Sequence, residues 1–303
     1  MSDDSSLLID ARPNAVDVTK QQETVAIIVK FLQQRLPLRV SEIVQSGSMG
    51  TGTITRSRQD VDLIVCSPDL PRDGQSSWMP ALLQAVRSFL QGSSNYQDTY
   101  FPLPKCSNFA VTSTALQFSC NGVDIDIMFS FDWESEERGG VNNLFQLSCS
   151  ETSQTQRLWY GIASSKMRRN FLADQPNEVK EIIKVVKHWR NCIQWKKTQY
   201  RPNSYLLSLL VIKSVEHTSS TDMKTVLQRF GALVLAPELS ISWNTNYTPE
   251  KYPTEFEPPT PLIRDPANPG YNVATSMPYW GQFRSEVINW LRGLGVTVCN
   301  IPT

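Results

Sequence analysis

The chain has 303 residues, 40% of them hydrophobic, with 29 lysines and arginines balanced by 29 aspartates and glutamates. That length supports a large core and two lobes, and the balance leaves no global field to draw in nucleic acid, so any basic surface must be local. Six cysteines without a CxxC, and only His188 and His217 as histidines, exclude a legible zinc cluster.

Residues 17–36 space Val25, Ile28, Val29, Leu32 and Leu36 at helical intervals. A strand is expected over 40–44, followed by GSMGTGTITRSRQDVDLIV at 47–65. In that stretch Gly47, Gly50 and Gly52 allow the backbone to approach a phosphate, and Ser48 adds a hydroxyl donor. Residues i and i+2 of a strand share a face, so Asp60 and Asp62 project together, away from Val61, Leu63 and Val65. This is the geometry of a divalent-metal site, and with the glycine turn it suggests a nucleoside triphosphate carrying Mg²⁺. The competing reading puts Asp60 at the wet end of an ordinary strand.

A helix is expected at 78–90, with Pro80 near its first turn. Strands at 109–120 and 123–129 flank the turn signal Asn121-Gly122. In VDIDIMF, Asp124 and Asp126 share one face and Val123, Ile125 and Ile127 the other. If this strand lies beside the Asp60–Asp62 strand, three acids converge on one or two metals; otherwise these acids line a solvated sheet face.

From about residue 150 helices take over. Residues 178–195 place Ile182, Val185, Val186, Trp189 and Ile193 on a buried stripe and Lys180, Lys184 and Lys187 on another face, where a solvated surface or a phosphate site are both open. Helices at 205–216, after Pro202-Asn203-Ser204, and at 221–235 follow. Residues 247–272 read as a proline-rich, turn-like wrap, and 280–294 as a closing amphipathic helix. The expected architecture is α+β: a mixed-sheet lobe at 1–150, a mainly helical lobe at 151–303, and a ligand in the cleft between them. The N terminus has neither a basic start nor an apolar run, and no stretch approaches the ~18 apolar residues of a membrane span. With the scattered cysteines, this gives the expectation of a cytoplasmic protein, the nucleus not distinguished, and no membrane partner.

In this order the motifs resemble the nucleotidyltransferase superfamily and, within it, the 2′-5′-oligoadenylate synthases and the related cGAS-like cyclic-dinucleotide synthases. GSMGTGTITRSRQDVDLIV, with Arg56 and Arg58, is similar to the phosphate turn and metal strand; VDIDIMFSFD is similar to the third-acid strand. RRNFLADQPNEVKEIIKVVKHWRNC resembles the central helix, and LIRDPANPGYNV the Asp-Pro motif. The resemblance implies a nucleotidyltransferase catalytic lobe followed by a C-terminal lobe of oligoadenylate-synthase type. It makes Asp60, Asp62 and Asp126 the catalytic, metal-binding triad, with Asp124 a neighbour. It also puts Gly47, Ser48 and Lys187 on the triphosphate and Tyr205 against a base, with Ser204 standing where a glutamine is common. The implied chemistry is two-metal phosphoryl transfer with Mg²⁺, for which Mn²⁺ can substitute: a ribose hydroxyl attacks the α-phosphate of ATP and pyrophosphate leaves. His188 is read as structural.

The family further implies innate, antiviral function and activation by double-stranded RNA. For an RNA face Arg169 is present, but Gln45, Ala173 and Glu178 stand where basic residues are expected. Either Arg157, Lys166, Arg168 and Lys180 rebuild that face, or the enzyme depends weakly on RNA. The alternatives are a cyclic-dinucleotide synthase and a catalytically inactive RNA-binding protein. A monomer is the default.

Overall fold

The computed structural model describes residues 11–56, 60–95, 103–134, 140–253 and 261–297. Arg58 and Cys299 lie outside them. In chain order the elements are α1 (Ala15–Arg35), β1 (Glu42–Ser46), a single helical turn (Gly47–Gly50), β2 (Val61–Ser67), α2 (Gln75–Asn95), β3 (Cys106–Val111), β4 (Leu116–Cys120) and β5 (Val123–Phe131). Then come α3 (Gly140–Ser150), α4 (Gln154–Ala163), α5 (Ser165–Ala173), α6 (Asn177–Cys192), α7 (Ser204–Thr218), α8 (Met223–Leu235), β6 (Ser240–Ile241), β7 (Leu262–Asp265), β8 (Asn268–Asn272) and α9 (Trp280–Gly293).

The described residues form two units, one holding those of Pro13–Gly52 and 60–170, the other residues 11–12 and 53–56 and the described residues from Phe171 to 297. The first is built on a mixed sheet of order β1-β2-β5-β4-β3, in which only β2 and β5 run parallel. Its hairpin β4-β5 turns at Asn121 and Gly122, with φ of 52° and 76°. Positive φ at both central residues is the type I′ turn, whose twist matches the strands it joins. Alternation then sorts the faces. Val61, Leu63, Val65, Ile125, Ile127 and Phe118 bury in one core with Ile28 and Leu32 of α1 and Met79, Leu83 and Leu90 of α2. Each fully buried side chain of this kind contributes about 1.5–3 kcal/mol of transfer free energy.

The expected single strand at 109–120 is two strands. Thr112 closes the turn between them, its backbone N–H donating to Ala115 O at 2.9 Å while its Oγ1 accepts from Ala115 N at 3.0 Å. The units divide between Asn170 and Phe171, about twenty residues after the composition changes near 150. The reason is packing: α4 lies on β5, and Leu144 and Tyr160 bury against Phe131 and Trp133.

In the other unit α7 is the central helix, with Leu206 through Ile212 all buried. Asn203 caps it, its side chain accepting from Leu206 N at 2.7 Å. Around α7 pack Ile183 and Val186 of α6, Phe230 of α8 and Phe283 of α9, and Trp189 stacks on Trp290 with centroids 4.5 Å apart. The wrap expected at 247–272 contains strands: β7 pairs antiparallel with β8 and parallel with β6. Pro269 misled because proline removes a ladder donor, yet β8 is an edge strand, where that loss is tolerated.

Candidate active site

The sheet brings one row of residues into line. Ser46 of β1 faces Asp62 of β2, Asp62 faces Asp126 of β5, Asp126 faces Gln117 of β4, and Gln117 faces Ala110 of β3. Register partners point to the same face, so Asp62 and Asp126 lie side by side on strands about 4.8 Å apart. Both are half-buried. Gln117 Nε2 donates to Asp126 Oδ2 at 2.9 Å. Two ladder positions further, on the same face, Ser119 Oγ donates to Asp124 Oδ1 at 2.5 Å, and Asp124 is exposed. Asp60 stands one residue before β2, outside the ladder.

The glycine turn grows from the end of this row. Gly47 follows Ser46 with φ of +63°, and a Cβ on it would meet Asp62 Oδ2 at 2.0 Å. Left-handed backbone and close approach both demand glycine. The turn is closed by Thr51, whose Oγ1 donates to Gly47 O at 2.9 Å, and Ser48 is half-buried within it. A Cβ on Gly50 would lie 2.0 Å from Gln45 O and 3.4 Å from Arg169 Cγ, so the stem of Arg169 runs beside the turn. Cys66, on the same strand as Asp62, is a protonated thiol: burial first, then the nearby charge of Glu42, pushes its pKa up to about 12.

Aspartate oxygens are hard donors suited to Mg²⁺. Among the described residues no group of three or more His, Cys, Asp or Glu side chains is gathered closely enough to hold an ion alone. The Asp62–Asp126 pair still fits that ion, which is commonly held by one or two carboxylates and completed by substrate phosphates.

In the helical unit Lys187 is buried, 4% exposed, and its Nζ donates to Thr53 O at 3.1 Å and to Thr53 Oγ1 at 2.9 Å. The lysine row is therefore no uniform solvated face. Lys184 pairs with Glu181 at 2.7 Å and Lys180 Nζ donates to Ala173 O at 2.5 Å. Three residues beyond Lys187 on the same helix, Arg190 donates to Pro202 O at 2.6 Å and to Ser204 Oγ at 3.0 Å. Tyr205, half-buried, donates its hydroxyl to Asp265 Oδ1 at 2.9 Å, so the Asp-Pro motif anchors the tyrosine. His188 Nε2 lies 3.6 Å from Cys192 Sγ.

The other basic candidates also have internal partners. Lys166 bridges Glu42 at 2.5 Å and Glu134 at 2.7 Å. Burial opposes its charge, but the two glutamates outweigh that and raise its pKa. Arg157 Nε donates to Glu151 O at 2.8 Å and Arg168 Nη1 to Gly161 O at 3.1 Å. No helix among the described residues is long and apolar enough to cross a membrane.

The sequence reading missed Gln117, Thr53 and Arg190, and marked Asp265 only as part of the Asp-Pro motif. For Gln117 the signal was present: a two-residue turn at Asn121-Gly122 pairs Cys120 with Val123, and counting back pairs Gln117 with Asp126.

A family model described as "2'-5'-oligoadenylate synthetase 1, domain 2, C-terminus" matches residues 142–300. The rat 2'-5'-oligoadenylate synthase 2 is 24% identical over 315 residues, 92% of this chain and 42% of that protein, so the chain spans less than half of this relative. Rat 2'-5'-oligoadenylate synthase 1A is 23% identical over 92% of this chain and 86% of its own length. Rat "Inactive 2'-5'-oligoadenylate synthase 1B" is 25% identical over 88% and 78%. In fold the chain is similar to E. coli MS115-1 CdnC with ATP, with a TM-score of 0.61, 21% identity and 94% and 86% of the two chains covered. It is similar also to the Cid1 poly(U) polymerase with Mg 3'-dATP bound, with a TM-score of 0.58, 15% identity and 96% and 92% covered. The mixed sheet and its long helices are thus a nucleotidyltransferase-type fold, and by the match to its C-terminal domain the chain belongs to the 2'-5'-oligoadenylate synthase family.

Proposed function

We propose that the chain is a nucleotidyltransferase that joins ATP into 2′-5′-linked oligoadenylates with release of pyrophosphate. The observation that carries this reading is the pairing of Asp62 with Asp126 across the parallel strand pair of the five-stranded sheet, with Gly47 packed against Asp62. Family membership supports the choice of substrate and linkage.

In this reading Asp62 and Asp126, joined by Asp60, hold Mg²⁺, which when bound neutralises charge on the triphosphate and activates the attacking hydroxyl. Asp126 takes the proton of the acceptor ribose hydroxyl as it attacks the α-phosphate. Ser48 and the amides beside Gly47 bind the leaving phosphates, and Gly47 keeps that turn against Asp62. Lys187 adds positive charge by giving up its Thr53 oxygens for phosphate oxygens. Tyr205 stacks on a base. Ser204 accepts a hydrogen bond from Arg190, so its hydroxyl helps hold the turn that carries the tyrosine.

Activation by duplex RNA belongs to the same proposal, with Arg169 and Lys180 as contacts. A second reading, weak dependence on RNA, is favoured by the pairing of Lys166 with Glu42 and Glu134, which cancels charge that a phosphate backbone needs. Both are tested by incubating the protein with ATP, or ATP and GTP, in Mg²⁺ or Mn²⁺, with and without duplex RNA, and identifying products by mass and linkage-selective nuclease digestion. Linear 2′-5′ adenylates are expected. A cyclic dinucleotide would replace the synthase reading, and no pyrophosphate under any condition would assign the chain to the inactive class.

A further inference from the structure

Gln117 lies outside every motif that marks the family resemblance, yet it is the last polar residue of the row across the sheet, beside Asp126. Its partner Asp126 has a carboxylate that swings about its last torsion, and that torsion is broad. An ionised carboxylate only accepts hydrogen bonds, so the amide nitrogen of Gln117 is the end that faces it, at 2.9 Å from Oδ2. The type I′ turn fixes this pairing at the backbone, because both residues of Asn121-Gly122 hold positive φ and allow no slip. Nothing else about Gln117 requires an amide: its neighbours Leu116 and Phe118 supply the core contacts of β4, on the opposite face.

We propose that Gln117 is a positioning residue that fixes the rotation of the Asp126 carboxylate for a divalent cation. The inference rests on the reading of Asp126 as a metal-binding group. A neutral donor is suited to the task, since a lysine or arginine there would hold the same oxygen but cancel the charge that attracts the ion. Partners that orient a metal-binding carboxylate typically change metal affinity by about 10- to 100-fold when removed. The neighbouring pair Ser119–Asp124 is the internal control, with the same cross-strand bonding two ladder positions away on an exposed acid.

The test reads metal uptake without turnover. Mn²⁺ is titrated into the protein with an α,β-methylene analogue of ATP, and bound ion is followed by electron paramagnetic resonance. Gln117→Met, close in size but without a donor, should weaken Mn²⁺ binding about 10- to 100-fold, whereas Ser119→Ala should stay within about twofold, since the bond it loses belongs to a carboxylate outside the row. On an Asp126→Asn background Gln117→Met should add little, because the two act as one unit. Should Gln117→Met fail to fold, Gln117→Asn keeps an amide but withdraws it by one methylene and serves the same comparison. Mn²⁺ affinity in the variant equal to the parent's, or equal losses on both backgrounds, would overturn the proposal alone. Absence of Mn²⁺ uptake by the parent would overturn the metal reading of Asp126 and the proposal with it.

Discussion

The two units prepare their polar groups in opposite ways. In the sheet unit, backbone pairing sets Asp62 beside Asp126, with Gln117 bonded to Asp126, and Gly47 lets the turn approach Asp62. In the helical unit, the groups of interest are held by side-chain partners: Lys187 by Thr53 and Tyr205 by Asp265. The first arrangement is fixed before any ligand arrives. The second contains one group, Lys187, whose proposed use requires a bond to be exchanged. Preorganisation of the acids and release of the lysine are therefore separable properties, and substitutions can act on each in turn.

The largest effect is expected from Asp62→Asn and Asp126→Asn, which keep shape and remove charge. Pyrophosphate release should fall on the order of 10³-fold, with circular dichroism and thermal unfolding near the parent's. Gly47→Ala comes next, since its Cβ would overlap Asp62 Oδ2 at a φ of +63°. Strain of about 1–3 kcal/mol should lower activity about tenfold or more by displacing Asp62, leaving unfolding of the helical unit unchanged in a calorimetric scan.

Thr53→Val sharpens the other half of the comparison. It removes the hydroxyl that Lys187 bonds and should cost about 1–3 kcal/mol of stability. It should also tighten ATP binding a few-fold by calorimetric titration, because the lysine gives up less on meeting phosphate. A loss of ATP affinity would instead make Thr53 a support that Lys187 needs throughout. The smallest effect concerns α8, whose cap Asp222 accepts from Thr225 N at 2.8 Å. Hydrogen bonds from the Thr225 side chain and backbone hold the pKa of Asp222 below its ordinary value. A depressed folded pKa means the stabilisation is complete above the ordinary aspartate range and lost as pH falls through the folded value. Asp222→Ala should thus cost about 1 kcal/mol at neutral pH and much less in strong acid, measured by urea unfolding at several pH values.

Much of the sheet unit is visible in the chain itself. Alternation in VDLIV and VDIDIMF put the acids on one face, and Asn121-Gly122 announced the hairpin. Even the Gln117–Asp126 pairing follows from counting back from that turn. The parallel pairing of Asp62 with Asp126 does not, because strands separated by a helix and another hairpin find their register only through tertiary packing. Periodicity also cannot tell Lys187 from Lys180 and Lys184. One is buried because Thr53 offers it two oxygens, and Thr53 is 134 residues away in sequence. The prolines near β8 pointed away from a strand because a sequence does not reveal which strand stands at a sheet's edge.

The central claim is that the Asp62–Asp126 pair is a reaction centre for nucleotides. Its most direct test is single-turnover pyrophosphate release from ATP by the parent and by Asp126→Asn, in Mg²⁺ with duplex RNA present and absent. The account predicts release by the parent in at least one condition and a loss on the order of 10³-fold in the variant. Equal rates for the two proteins, or no release by the parent, would contradict it.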